Sequence, residues 1–154
     1  MGERLRKFVP RAPRYTLRPQ DRNVMRYALA NSRGGIEHTT LLNLSETGMA
    51  FLMDRSTEIA IGDEIKVEVP IPDGDQIAWF GKVVRIEVYD TSSWFSRNRQ
   101  EPEMIKVGLR FEALPVGHKN TLRQGIEASF IRAMREQRQR TLLYYRLLLT
   151  QHLW

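Results

Sequence analysis

Cysteine is absent from all 154 residues. That excludes disulfides, thiolate-bound metal and a cysteine nucleophile, and it suits a reducing compartment. Histidine is scarce: His38, His118 and His152 lie far apart, with no metal-ligand spacing or nucleophile elbow around them. The chain therefore reads as a binding protein rather than an enzyme. Long apolar runs are missing too. None approaches the roughly 20 residues that a membrane-spanning helix needs. The basic stretch from Met1 to Tyr15 lacks the apolar core of a secretory signal. The expectation is a soluble, cytoplasmic protein with no membrane span.

Acidic residues are short at both ends. Residues 1–26 hold eight Lys/Arg against two acids, residues 27–117 nine against fourteen, and residues 118–154 seven against two. The net charge of +6 thus comes from two basic ends around an acidic middle. Two readings fit the first basic segment, a solvated and partly self-complementary tail or a holder of an anionic ligand.

At this length the chain accommodates one domain with its own core plus an appendage. Residues 1–22 place Pro10, Pro13 and Pro19 among arginines with no period of 2 or 3.6, and read as a basic, partly flexible arm. Residues 23–117 carry strand patterns at Met25 to Ala30, Glu37 to Leu42, Met49 to Met53, Glu64 to Pro70, Ile77 to Val88 and Met104 to Phe111. Asn31 to Gly35 reads as a hairpin loop, and Gly62-Asp63 and Pro72 to Asp75 as turns. Short strands at this spacing predict a mainly β fold, a barrel or sandwich. The connection Tyr89 to Glu103, carrying Trp94, Phe95, Arg97 and Arg99, is long enough to be either functional or a cover for the barrel end.

Residues 118–154 change character and predict one long helix, His118 to about His152. Leu122, Ile126, Phe130 and Met134 form a stripe at i, i+4 spacing suited to packing on the barrel. A polar window, Arg135 to Thr141, separates it from a second cluster of Leu142, Leu143, Tyr144, Tyr145, Leu147, Leu148, Leu149, Leu153 and Trp154. Left bare, that cluster is an aggregation hazard, so self-association or a protein partner is expected. Only Arg146 lies within it, which argues against an interfacial membrane helix.

Two short motifs remain: Arg18 and Arg22 in RxxxR spacing, and Asn43 to Gly48 as NxSxxG. Arginines at this spacing recur here by chance, as Arg14/Arg18 and Arg22/Arg26 show. Order and separation make the pair specific, and Trp79 to Arg85 and Val107 to Phe111 follow in sequence. The set resembles a PilZ domain, the bacterial receptor module for cyclic di-GMP. The likeness extends over residues from about 15 to 135. It implies a six-stranded antiparallel β-barrel with a C-terminal α-helix, no cofactor, and cyclic di-GMP as ligand of Arg18, Arg22, Asn43, Ser45 and Gly48. Arg14, Leu17 and Trp79 are further candidate contacts.

The chemistry suits that ligand. An arginine fork bonds phosphate or the O6/N7 edge of guanine bidentately and also stacks on the base. Asn43 offers an acceptor and two donors to a guanine edge. Ser45 can donate to phosphate or to its own turn, and Gly48 supplies either a positive-φ turn or room for close approach. An ordinary capped loop is the plain alternative for this turn. Members with arginine at the position of Leu17 are associated with an intercalated ligand dimer, so Leu17 implies one ligand per site unless Arg14 substitutes. The long 89–103 connection, the apolar helix extension, and asparagine where many members have aspartate depart from the pattern. The expected role is a receptor that couples ligand level to protein contacts. The rivals are a PilZ-fold scaffold without nucleotide and a nucleic-acid-binding barrel, the latter opposed by the acid-rich middle.

Overall fold

A computed structural model of the protein describes residues 13–30, 35–71, 74–89 and 104–151. Asn31 to Gly34 of the expected loop Asn31 to Gly35, Pro72-Asp73, residues 90–103 of the long connection, the first 12 residues, and His152 to Trp154 lie outside the described residues. Among the described residues seven strands precede one helix: β1 (Tyr15–Thr16), β2 (Val24–Leu29), β3 (Glu37–Leu44), β4 (Gly48–Asp54), β5 (Glu64–Val69), β6 (Ile77–Tyr89), β7 (Met104–Phe111) and α1 (Val116–Gln151). All strand pairings are antiparallel, in the order β1-β3-β2-β5-β6-β7-β4, and a β3–β4 pairing closes the ring. The expected six-stranded barrel is therefore present, with β1 added outside the ring.

Alternation drives closure. In β5, Ile65, Val67 and Val69 are buried between Glu64, Lys66 and Glu68. In β7, Ile105, Val107, Leu109 and Phe111 alternate with less buried neighbours. These faces meet Met25, Leu41, Phe51 and Met53 in one core. A ring leaves no long free edge among its six strands, so the apolar face is enclosed without a second sheet.

Closure brings backbones close at Gly48. Its φ is not in the left-handed region, where the described glycines are Gly35 and Gly62. A Cβ there would instead stand 2.2 Å from the Leu109 carbonyl oxygen of β7. Of the two reasons the sequence offers for this glycine, close approach is the one realised.

α1 runs for 36 residues, roughly 54 Å at 1.5 Å per residue. It starts two residues before the expected His118, where the Pro115 carbonyl accepts from the Lys119 N–H. Leu122, Gly125, Ile126 and Ser129 are its buried positions. The expected stripe is therefore only partly a packing face: Leu122 and Ile126 join the core, whereas Phe130 is 39% and Met134 62% exposed. Past Ser129 no described residue of the helix is buried. Further along it Leu142, Leu143, Tyr144, Tyr145, Leu147 and Leu149 are 58% to 67% exposed. No described helix is long and apolar enough to cross a membrane.

The contact at Gly48 is with backbone, which cannot rotate away. Gly48→Ala should cost about 1 to 3 kcal/mol of stability, read as a lowered urea midpoint at unchanged slope. A wild-type midpoint would show that β4 and β7 can separate freely here.

Candidate functional site

β1 and β2 lie on the same edge of β3. β2 pairs with it through Glu37 to Thr40, and β1 through Asn43 and Leu44. Between them the Leu17 N–H donates to the Leu42 carbonyl (2.9 Å) and the Leu41 N–H to the Asn23 carbonyl (2.7 Å). Neighbouring positions of β3 thus receive residues 17 and 23, and the intervening segment, Arg18 to Arg22, is squeezed outward. RxxxR is the loop so formed, with one arginine at each end.

The loop is a turn over Arg18-Pro19-Gln20-Asp21, closed by the Asp21 N–H donating to the Arg18 carbonyl at 2.9 Å. Proline at its second position presets φ for such a turn. Asp21 locks it. Its carboxylate accepts from the Tyr15 hydroxyl (2.6 Å), the Arg18 N–H (2.7 Å), and Arg18 Nε (3.3 Å) and Nη2 (3.0 Å). Burial would push the Asp21 carboxyl up, but bonds from the Arg18 side chain, Tyr15 and the Arg18 N–H together hold it below its ordinary 3.8. Burial, and then Asp21, push the Tyr15 hydroxyl up.

The two arginines point to different neighbours. Arg18 also receives Glu136 of α1 on Nη1, and Asp21 foremost holds its guanidinium in the charged form. Arg22 is exposed. With its amide oriented to satisfy both sides, Gln76 accepts from Arg22 Nη2 at 3.3 Å and donates to Glu68, which pairs with Arg26.

The second motif adjoins the first through β3. A bulge between Leu41 and Asn43 shifts the register against β4 just where the arginine loop leaves, and bulges of this kind re-aim side chains. Asn43 is 7% exposed, and its Oδ1 has no hydrogen-bond partner among the described residues. A shielded, unpaired acceptor costs about 1 to 3 kcal/mol. Ser45 is 1% exposed, and its Oγ accepts from the Thr47 and Gly48 N–H groups (3.3 and 3.2 Å) and lies 3.2 Å from the Gly48 carbonyl. Of its two expected roles, Ser45 fulfils the one within its own turn. Glu46 of that turn accepts from Arg123 of α1 at 2.9 Å.

The further candidates scatter. Arg14 is exposed next to Tyr15. Leu17 is half-buried against the core. Trp79 donates its indole N–H to the Glu112 carbonyl (2.6 Å) and stands edge-on to His118. It borders an outer hollow of about 370 Å³ with Arg26, Ala28, Lys66, Glu68 and Phe80, which none of the motif residues lines. Tyr15, Asp21, Gln76 and Glu136 surround the arginines and escaped the sequence reading. Asp21 alone had a local signal, closing a Pro-containing turn.

The depressed Asp21 value fixes a sign. Its stabilisation is complete above pH 3.8 and is lost as pH falls through the lower folded value. Asp21→Asn should cost about 1 to 3 kcal/mol at pH 7, and that deficit should shrink towards pH 3, by urea unfolding at both values. An equal deficit at both pH values would mean that the charge of Asp21 does not hold the loop.

The family model described as "PilZ domain" matches residues 10–128. Among curated proteins none matches by sequence. Among solved structures, the chain is similar to the PilZ domain with c-di-GMP of YcgR from Escherichia coli. Identity is 19% and the TM-score 0.65, covering 84% of this chain and 97% of that one. It is also similar to the K. pneumonia MrkH–c-di-GMP complex (12%, TM-score 0.64, 83% of this chain and 55% of that one). A third likeness is to the Bacillus subtilis inhibitor of motility MotI/DgrA (13%, TM-score 0.57, 82% and 52%). The chain spans nearly all of the isolated YcgR domain and about half of the other two chains. A family match over residues 10–128, on a closed six-stranded barrel with both motifs side by side, makes this chain a member of the PilZ domain family.

Proposed function

We propose that the protein is a cyclic di-GMP receptor acting in the bacterial cytoplasm by binding rather than catalysis. The observation that carries this reading is the arginine loop extruded from the edge of β3 directly beside Asn43. Arg18 and Arg22 bring two bidentate cations to a ligand with two phosphodiester charges and two guanines. The unpaired Oδ1 of Asn43 is an acceptor suited to a guanine N–H. Ser45 acts indirectly, shaping the turn that holds Asn43 in place. Relatives solved with c-di-GMP, the YcgR domain and MrkH, favour the same ligand here. Leu17 packs inward, so a single ligand molecule is expected at the site.

The division of labour follows the three segments: residues 1–22 as the ligand-responsive arm, 23–117 as the barrel, and 118–154 as the output. The exposed apolar end of α1 is read as the surface for self-association or a protein partner.

Calorimetric titration tests the receptor reading at near-physiological salt, with GTP and a short oligonucleotide as controls. Selective micromolar or tighter binding at one ligand per chain is expected for wild type. Arg18→Ala should weaken it roughly 10- to 100-fold, equivalent to about 1.4 to 2.7 kcal/mol. Absence of binding would leave a scaffold, and salt-sensitive oligonucleotide binding a nucleic-acid reader. For the output, removal of residues after Arg140 should lower the oligomeric mass by light scattering or abolish partner binding. The assignment fails if both are unchanged.

A further inference from the structure

Two ion pairs tie α1 to the two motifs. Arg123 bonds Glu46 inside NxSxxG, and 13 residues later Glu136 bonds Arg18 of RxxxR. The edge-on contact of Phe130 with Tyr15, 5.2 Å between centroids, lies between them. The helix therefore tracks the site for roughly 20 Å, the rise of that span. The two ends of this track differ. Arg123 sits among the buried anchors Leu122, Gly125 and Ile126, whereas no residue of the helix described beyond Ser129 is buried.

Arg18 is divided in the same way. Its Nε and Nη2 are held within the arm by Tyr15 and Asp21. Its Nη1 is held by Glu136, which also accepts from Gln20 Nε2 at 3.5 Å. The side chains of Glu136 and Asp21 are 36% and 10% exposed, so the helix partner is the one open to exchange.

We propose that Glu136 is a built-in competitor for the ligand at Arg18, and that an incoming phosphate displaces it and frees the helix from Phe130 onward. This deepens the receptor reading and rests on it. A carboxylate and a phosphodiester present the same charge and the same oxygen acceptors to a guanidinium, so both cannot fill one fork edge. With phosphate seated, Glu136 would face a like charge as well as an occupied donor. Leu122, Ile126 and the Arg123–Glu46 pair remain as the pivot. Coupling is reciprocal: whatever strengthens the helix contact weakens the ligand by the same factor.

The cysteine-free chain permits clean paired spin labels at Glu58→Cys on the barrel and Gln139→Cys on the helix, both exposed positions. Pulsed-resonance distances and calorimetry with cyclic di-GMP are compared in wild type, Glu136→Gln and Glu127→Gln. The last makes the same charge change on an exposed helix position that, among the described contacts of Arg18, is not one of its partners. Glu136→Gln should bind about 2- to 5-fold tighter, the range open to a partly exposed ion pair. Its ligand-free distance should match that of ligand-bound wild type, and Glu127→Gln should stay at wild-type values throughout. Unchanged affinity in Glu136→Gln, equal tightening in Glu127→Gln, or a helix distance indifferent to ligand would overturn the displacement while leaving the receptor intact. Wild type that does not bind would overturn both.

Discussion

The site depends on one hydrogen-bonding constraint, the sharing of a single edge of β3 by two consecutive pieces of chain. Leu42 and Leu41 are adjacent, and they accept from Leu17 and donate to Asn23 respectively. Five residues have no place on the ladder between those bonds and must leave the sheet. A strand that continued smoothly would present its residues alternately to core and solvent, turning Arg18 and Arg22 to the same flat face. Extrusion turns them into the two posts of a loop. Pro19 sets the turn and Asp21 pins it to Tyr15, a core residue that is 4% exposed. The position of the loop is thereby referred to the barrel's packing rather than to a flexible tether.

The same edge explains why the second motif lies beside the first. Asn43 and Leu44 belong to β3 because β1 on one side and β4 on the other both pair with them. The bulge before Asn43 and the hairpin bond from the Ser45 N–H to the Gly48 carbonyl then fix where the asparagine sits. Gly48 admits β7 at a distance that no side chain allows. Ser45 and Gly48 thus shape the turn and the close β4–β7 approach, and on the proposed reading Asn43 and the arginines would supply the chemistry. A motif of this kind joins two physical roles in one string of letters.

This difference governs how much of the protein was legible in its sequence. The six barrel strands were, to within two residues at each end, because alternating burial writes itself into each strand; Met104–Phe111 is legible to the residue. The helix was legible from its i, i+4 pattern, but the end of its contact with the barrel was not, since Phe130 and Met134 are as apolar as Leu122. Tyr15–Thr16 carried no pattern at all, being two residues between prolines that join the sheet by pairing with distant Leu44 and Asn43. Glu136 is equally silent, one carboxylate in an arginine-rich helix, meaningful only because folding sets it against a residue 118 positions earlier.

The contrast between the two ends of α1 bears on what such a helix can transmit. Apolar burial at Leu122 and Ile126 is insensitive to small changes in charge and resists displacement by any polar ligand. An ion pair at the barrel's rim has the opposite character. Its net contribution is modest in water, yet its partner can be replaced by another anion without leaving a cavity or an unpaired group. A contact that is weak but exchangeable suits a control point, and a strong one suits a pivot. Here the strong contacts lie towards the start of the helix and the exchangeable one, to Arg18, lies further along it, so on the proposed displacement an exchange of partners at Arg18 would free the exposed segment of α1 beyond it. The leucines and tyrosines of that segment are then the group whose availability the arginine loop would govern.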